Sequence, residues 1–536
     1  MHYLDANKVN VNTTIKTDIC IIGAGAAGIT LAHEFDKTNL SVTILEAGGI
    51  GYEPELQRDY THELLNWSKG EWENIRVRQL GGSTEAWYGR CTLLQPHDFV
   101  KRDWVKNSGW PITFNEVDTY IDRALDILKI QEPKAISPSF WKECPTSNAF
   151  DSDTLSPKVF LWSEPIKMIK AHGGQIWKSS NISILYYAFA QELIPNEGDN
   201  HINSIAVKSS LGNSFTVDAN TVILAGGGIE NSRLLMLSQT NHSSGIGNQH
   251  DNVGRYLMDH PRLDSIAKLC INFNNPRWKT KFKYLSETLT EHGKVQIFLS
   301  MSEEVQRREQ LLNHATVMRP AYVETTSQPY LAAKRLFYAT KDHRQEDIHK
   351  RDAFKVISGI PRLFKTGIKK AAGLPLTFSH LVLIDQLEQE PDRESRILLN
   401  DQLDRFGQQK TTLKWEIGES TTASLRTFHR LIDSHLRKNK LGWLESEVLN
   451  DPEYVPNYTE ACHPTGTTRM SDTPQAGVVD KNCRVFGFDN LFIAGSSIFP
   501  TVSYANPTLS LVALAVRLAD HIKAQAGSHS SPIRIK

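Results

Sequence analysis

The stretch from Thr17 to Phe35, TDICIIGAGAAGITLAHEF, constrains this chain more than any other. A short β-branched run, Ile19 to Ile22, leads straight into Gly23-x-Gly25-x-x-Gly28, and Ala26 to Phe35 then has helical spacing. A second strand, Ser41 to Leu45, follows and ends at Glu46. Strand, glycine turn, helix and strand make a unit of parallel sheet with helices packed on it. Gly23 permits the tight turn, Gly25 lets backbone approach a pyrophosphate, and Gly28 allows close helix contact. The helix N-terminus at Ala26 and Ala27 favours the phosphate's negative charge. Glu46, followed by Ala47, would accept from a ribose hydroxyl. These residues predict a dinucleotide site and leave NAD or FAD open.

Two later segments read as parts of the same layer, each an apolar strand running into Ala-Gly. They are TVILAGGGIENSRLLMLS (221 to 238, with Ala225 and Gly226) and NLFIAGSSIFPT (490 to 501, with Gly495 and Ser496). After the second, Pro507 to Ile522 has helical apolar spacing. The expected fold is therefore α/β: a discontinuous Rossmann-type domain from 1–110, 221–262 and 455–536. An α+β second domain with an antiparallel or mixed sheet is expected from 111–220 and 263–454. Within the latter, His380 to Asp385, Arg396 to Asn400 and Thr411 to Trp415 read as strands, and Thr421 to Lys438 as a helix.

Composition narrows the function. Lys plus Arg and Asp plus Glu both total 60 in 536 residues, so no global field recruits nucleic acid. Hydrophobic residues at 40% and charged residues at 22% describe a folded chain rather than a disordered one. The six cysteines form no C-x-x-C pair, which argues against a disulfide scaffold or a structural metal and for a reducing, cytoplasmic compartment. Met1 to Asp18 is polar without an apolar h-region and no stretch of about 18 uninterrupted apolar residues occurs, so neither export nor a membrane span is expected. Neutrality is nevertheless an average. Between Leu331 and Leu374 eleven Lys or Arg face four acids. This basic insertion reads first as a solvated helical face. Docking of a phosphorylated or lipid-linked substrate, a membrane surface or a partner is the alternative.

Several motifs together resemble the glucose-methanol-choline (GMC) oxidoreductase family. RQLGGSTEAW (Arg78 to Trp87) is similar to its glycine-rich flavin motif, and NVGRYLMDHP (Asn252 to Pro261) to its entry into the substrate domain. HPTGTTRM (His463 to Met470), GVVD (Gly477 to Asp480), RVFGFDNLFIAG (Arg484 to Gly495) and ANPTLS (Ala505 to Ser510) follow in the family's order and spacing. The last two look most like the pyranose oxidase branch. The resemblance implies FAD as cofactor, contacted through Arg78, Gly81, Gly82, Ser83, Ala86, Trp87, Ala225, Gly226, Gly495, Ser496, Pro507 and Thr508. Where several members carry a histidine bonded covalently to FAD, this chain has Ala86, which implies non-covalent attachment. The resemblance also implies His463 and Asn506 as the catalytic pair in front of the flavin.

The residue types suit that assignment. Alcohol oxidation removes a proton while the carbon gives up hydride. A near-neutral imidazole can accept the proton, and a carboxamide can hold the substrate oxygen in register. Thr508, at a helix start, would aim backbone N–H groups at the flavin edge where charge accumulates. The expected reaction is oxidation of an alcohol on a sugar, aminosugar or cyclic polyol, with oxygen, a quinone or a redox protein as acceptor. The alternatives are a hydroxynitrile-lyase-like flavoprotein, a sterol or aryl alcohol oxidoreductase, a non-catalytic flavin-binding protein, or a nicotinamide dehydrogenase. His260 reads as structural, Gln386 and Gln389 as able to reach substrate, and Glu388 and Glu390 as solvated strand-end charges rather than a glycosidase pair. No nucleophile elbow supports hydrolase chemistry.

Overall fold

The computed structural model describes residues 3–58, 63–65, 76–130, 153–163, 166–198, 200–272, 288–290, 293–341 and 350–529. Cys144 and Arg344, counted above among the cysteines and the basic residues, lie outside them. Strand Thr14–Ile22 (β1) runs parallel to Val42–Glu46 (β2) on one side and to Ser214–Leu224 (β3) on the other. β2 is buried along its whole length, as a parallel strand covered on both faces must be. Beyond β2 lie Ile182–Tyr186 and Tyr3–Asp5, also parallel. The C-terminal half of β3 pairs in parallel with Leu491–Ile493. Its N-terminal half carries two antiparallel strands, Ile202–Ser209 and Ala188–Pro195, outward. Register aligns Ile22, Leu45 and Leu224 with Ile493 or its neighbours, so the strand ends at Gly23, Ala225 and Ala494 share one edge. Ligands of open α/β sheets sit at that carboxyl edge. Helix Ala26–Phe35 (α1) packs against the C-terminal helix Thr508–His529, which thereby seals the layer built by the N-terminus.

The second sheet is antiparallel through all the pairings it shows, and its centre is Arg262–Ile271 (β4), Ala315–Tyr322 (β5) and Phe378–Gln386 (β6). Side chains alternate across it. Leu381 and Leu383 join Phe428, Ile432 and Leu436 of helix Glu419–Lys438, whereas Ile384 belongs to the nucleotide-side core. Gln386 shares the face of Ile384 and so looks towards the nucleotide layer.

Three expectations about organisation are corrected. Strands Ile182–Tyr186, Ala188–Pro195, Ile202–Ser209 and Ser214–Leu224 belong to the nucleotide sheet, against the expectation that residues up to 220 lie in the second domain. Helices Phe114–Asp118 and Ile121–Ile127, also assigned to the second domain, pack on the C-terminal helix, where Arg123 pairs with Glu34 and, at 2.6 Å, with Asp520. Arg396–Leu403 and Gln409–Lys414 form a separate three-stranded sheet with Glu63–Leu65. Periodicity reveals a strand but not the sheet that accepts it. Among the described residues no helix is long and apolar enough to cross a membrane.

Candidate active site

The glycine loop behaves as a packing device. Gly23 has φ +109°, and a Cβ there would lie 2.6 Å from the carbonyl oxygen of Ala225. A Cβ on Gly28 would lie 2.0 Å from the carbonyl oxygen of Gly23, so only glycine lets α1 settle on the end of β1. The second glycine motif closes over the first: a Cβ on Gly82 would come within 2.8 Å of Gly25 Cα. Gly81, at φ +94°, turns the chain and donates its N–H to Ala24. Glu46 braces the loop, its carboxylate accepting the N–H of Ala24 at 2.9 Å and of Gly48 at 2.8 Å. Burial pushes its carboxyl up, while these N–H groups and Arg78 pull it down.

A cavity of about 1000 Å³ starts at this loop and runs to the second sheet. Its wall includes Gly23, Gly25, Ala26, Ala27, Glu46, Ala47, Arg78, Gly82, Ser83, Ala86 and Trp87. From the later segments come Ala225, Gly226, Gly495, Ser496, Pro507 and Thr508, and from the second domain Gln386. Gly28 and Gly81 stand behind the wall and act on backbone shape.

His463 and Asn506 meet in the same wall. The two side chains, 43 positions apart in sequence, approach to 3.4 Å, with Asn506 Nδ2–H directed at His463 Nε2. That contact makes Nε2 the unprotonated ring nitrogen, its lone pair accepting the Asn506 N–H. His463 Nδ1 and Asn506 Oδ1 have no hydrogen-bond partner among the described residues. Burial, with the positive fields of Arg90 and Arg262, holds the His463 imidazole well below its ordinary value and therefore neutral. The histidine's backbone is fixed by Asp259, whose buried carboxylate accepts N–H groups from His463 (2.6 Å), His260 (2.6 Å) and Ala461 (3.0 Å). His260 packs edge-on against His463, ring centroids 5.1 Å apart, and its Nδ1 meets the carbonyl of Ser503 at 2.9 Å.

Two sequence expectations fail here. Gln389 does not line the cavity. It is fully buried, where its carbonyl accepts from Asp259 N and Trp415 Nε1 and its amide donates to Glu416 O. Glu388 is not solvated: it is buried with Arg102 in a bidentate pair at 2.8 and 2.5 Å and also accepts the N–H of Asn313. A buried carboxylate needs such partners, and here they come from 286 and 75 positions away.

Sequence reasoning also missed residues. Arg76, Glu230, Arg233 and Asp404 line the cavity as a charge network, Glu230 lying 3.5 Å from both arginines and Asp404 2.9 Å from Arg233. Arg90, Arg262, Arg319 and Glu460 line it as well. Only Asp259, next to His260 in MDHP, had a local signal that could have found it.

A parallel nucleotide layer and an antiparallel sheet enclosing one cavity, with an imidazole and a carboxamide meeting in its wall, define a two-domain dinucleotide-dependent oxidoreductase. Two family profiles, both described as GMC oxidoreductase, match residues 175–262 and 391–515. The chain belongs to the GMC oxidoreductases, a family of FAD-binding flavoproteins. It is 23% identical to the fructose dehydrogenase large subunit of Gluconobacter japonicus, over 95% of this chain and 98% of that one. It is 30% identical to the pyranose 2-oxidase of Tricholoma matsutake over 23% of this chain and 24% of that one. The pyridoxine 4-oxidase structure from Mesorbium loti shares the fold at TM-score 0.55, with 17% identity over 95% of this chain and 99% of the other.

Proposed function

We propose that this chain oxidises an alcohol carbon of a sugar, aminosugar or cyclic polyol to a carbonyl, with His463 as the base. One observation carries the reading: His463 and Asn506 meet at 3.4 Å in the wall of the cavity that begins at the glycine loop. FAD suits this cavity, because Gly23, Gly25 and Gly82 bring bare backbone to its edge and helix N-termini reach it at Ala26 and at Thr508. The glycine loop, Glu46, Arg78, Ser83, Trp87 and Thr508 would hold FAD there, and its flavin would supply the hydride acceptor. Ala86 offers no imidazole for a covalent link, so attachment rests on these contacts.

The protein's own groups handle the proton. A substrate hydroxyl takes the place of the Asn506 N–H on the His463 Nε2 lone pair and gives its proton to that nitrogen as the carbon is oxidised. Burial keeps the imidazole neutral and so able to accept a proton at neutral pH. Asn506 Oδ1, lacking a protein partner, accepts from a substrate hydroxyl, and Nδ2 steadies the substrate oxygen. Gln386, Arg90, Arg262 and Arg319 set further donors in the wall, and Glu460 an acceptor. A wall rich in donors suits a polyhydroxylated substrate, and relatives named for fructose and pyranose oxidation support the same class.

The test is the visible spectrum of the purified protein, followed by anaerobic mixing with sugars, aminosugars, polyols and sterols. A flavin band bleached by a sugar or polyol is expected. A protein without the band, or one that cleaves a cyanohydrin while no alcohol bleaches it, contradicts the proposal. Acid precipitation should release all the yellow colour, and colour retained by the polypeptide would refute non-covalent attachment.

A further inference from the structure

The basic insertion is built inside out. Between β5 and β6 the chain leaves the second sheet and forms three helices: Gln328–Lys341, Lys350–Ser358 and Ile360–Ala371. An ordinary surface helix turns its apolar stripe inward. In the second and third of these helices the buried side chains are instead Asp352 and Thr366. Phe354, Ile357, Ile360, Phe364 and Ile368 are outward, between 51% and 71% exposed. Their steps of three and four residues make one stripe that continues across the junction between the two helices. Phe337 and Leu374, also more than half exposed, lie at either end of the segment. Seven of the nineteen exposed large apolar side chains among the described residues thus fall between Phe337 and Leu374.

The stripe is not a core face awaiting a missing piece of this domain, because polar contacts already seat the helices on the protein. Arg335 pairs with Asp352, Lys369 with Glu324, and Lys370 Nζ donates to Tyr330 Oη at 2.7 Å. Gly359 lies against Pro329 so closely that a Cβ would meet it at 2.1 Å.

Charge identifies the occupant. Residues 350–374 hold seven Lys or Arg and one acid, Asp352, which is buried against Arg335. Lys350, Arg351, Arg362 and Lys365 are exposed around the stripe. A second copy of this chain would oppose like charges across such a face. Apolar side chains flanked by cations with no acidic partner among the described residues match an anionic bilayer surface, where the apolar groups enter the acyl boundary and the cations meet headgroups. Arg319, in the cavity wall, precedes the end of β5 by three residues, about 10 Å of strand. The insertion that carries this face therefore follows directly on a strand that lines the catalytic cavity.

We propose that the two helices Lys350–Ser358 and Ile360–Ala371 form a peripheral docking surface for anionic lipid membranes, lying in the interface plane with the Phe354-to-Ile368 stripe inserted.

The test is flotation of the flavin-loaded, full-length protein with vesicles of phosphatidylcholine alone or mixed with phosphatidylglycerol. Binding to the mixed vesicles at low salt, and its loss at high salt, is expected. Arg362→Gln with Lys365→Gln should lower the partition coefficient about 30-fold, at about fivefold per cation. Phe354→Ser with Phe364→Ser should lower it at least tenfold. Leu211→Ser, at an exposed apolar site elsewhere, should leave it unchanged, with flavin absorbance and melting temperature checked in every variant. Failure of the wild type to bind mixed vesicles, or binding equal to wild type by the Arg362/Lys365 and Phe354/Phe364 double variants, overturns the proposal. So does a wild-type dimer without lipid binding that Phe354→Ser with Phe364→Ser converts to monomer, since the face would then be a protein interface.

Discussion

Asp259→Asn probes the least visible part of the catalytic site. Asp259 Oδ1 receives the N–H groups of His260 and Ala461, and Oδ2 receives that of His463. An amide offers one acceptor oxygen. In its better orientation it keeps the first two bonds and turns an NH2 towards the N–H of His463. One charge-assisted bond is lost and two donors face each other, a cost of about 2–4 kcal/mol concentrated on the residue that carries the base. We expect the rate of anaerobic flavin bleaching to fall about 30- to 100-fold, within the range of general-base effects. The pH profile separates positioning from general damage. Burial pushes the Asp259 carboxyl up to about 7, while the His463 imidazole lies well below its ordinary value. The wild-type rate should therefore fall below about pH 7 as Asp259 takes a proton and loosens His463, and Asp259→Asn should lack this limb. Stopped-flow bleaching from pH 5.5 to 9, conditions spanning about 1.5–2 units on either side of that value, measures both. A variant with the wild-type rate and profile would refute the reasoning.

Removing Glu388 by Glu388→Ala should destabilise the fold by about 3–5 kcal/mol in denaturant melts, because Arg102 is left buried and unpaired; a change under about 1 kcal/mol would contradict this. Gly28→Ala should reduce flavin content in the purified protein, since its Cβ meets the Gly23 carbonyl at 2.0 Å, and a normal ratio of flavin to protein absorbance would count against that packing role. His314 accepts the N–H of Glu388 at Nδ1 and meets the Thr421 carbonyl at Nε2, so burial lowers its pKa to about 4. Its stabilising contribution is present above the unfolded value near 6.5 and is lost as pH falls towards 4. Between pH 7 and 5 this removes about 2 kcal/mol. Unfolding curves at both pH values should show a smaller acid loss for His314→Asn, and equal losses would sink the assignment.

How far the sequence reaches depends on the range of the interaction. The Gly23-to-Gly28 loop is legible because turn, helix and strand are neighbours in the chain. His463 and Asn506 became legible through motif resemblance, since their 3.4 Å contact spans 43 positions. Asp259 has a local signal only as the neighbour of His260 in MDHP, and its bond to the His463 N–H spans 204 positions. The Arg76, Glu230, Arg233 and Asp404 network joins residues from three separate segments, and only its Glu230–Arg233 pair, three residues apart on one helix, is local in sequence. Alternation in 188–220 marks strands, yet whether they extend the nucleotide sheet or the other sheet is decided by pairing with β3. Glu388 looked solvated because charge predicts exposure unless a partner such as Arg102 is known. In the basic insertion, spacing shows two-faced helices but not which face turns outward, and polar anchors at Asp352 and Lys369 settle that.

The central claim is that His463 removes the proton during alcohol oxidation. Anaerobic bleaching of the bound flavin by a sugar or polyol, compared between wild type and His463→Ala at equal flavin content, measures it directly. The expected result is rapid bleaching in the wild type and a rate at least about a hundredfold lower in the variant. Unchanged bleaching in His463→Ala would contradict the account.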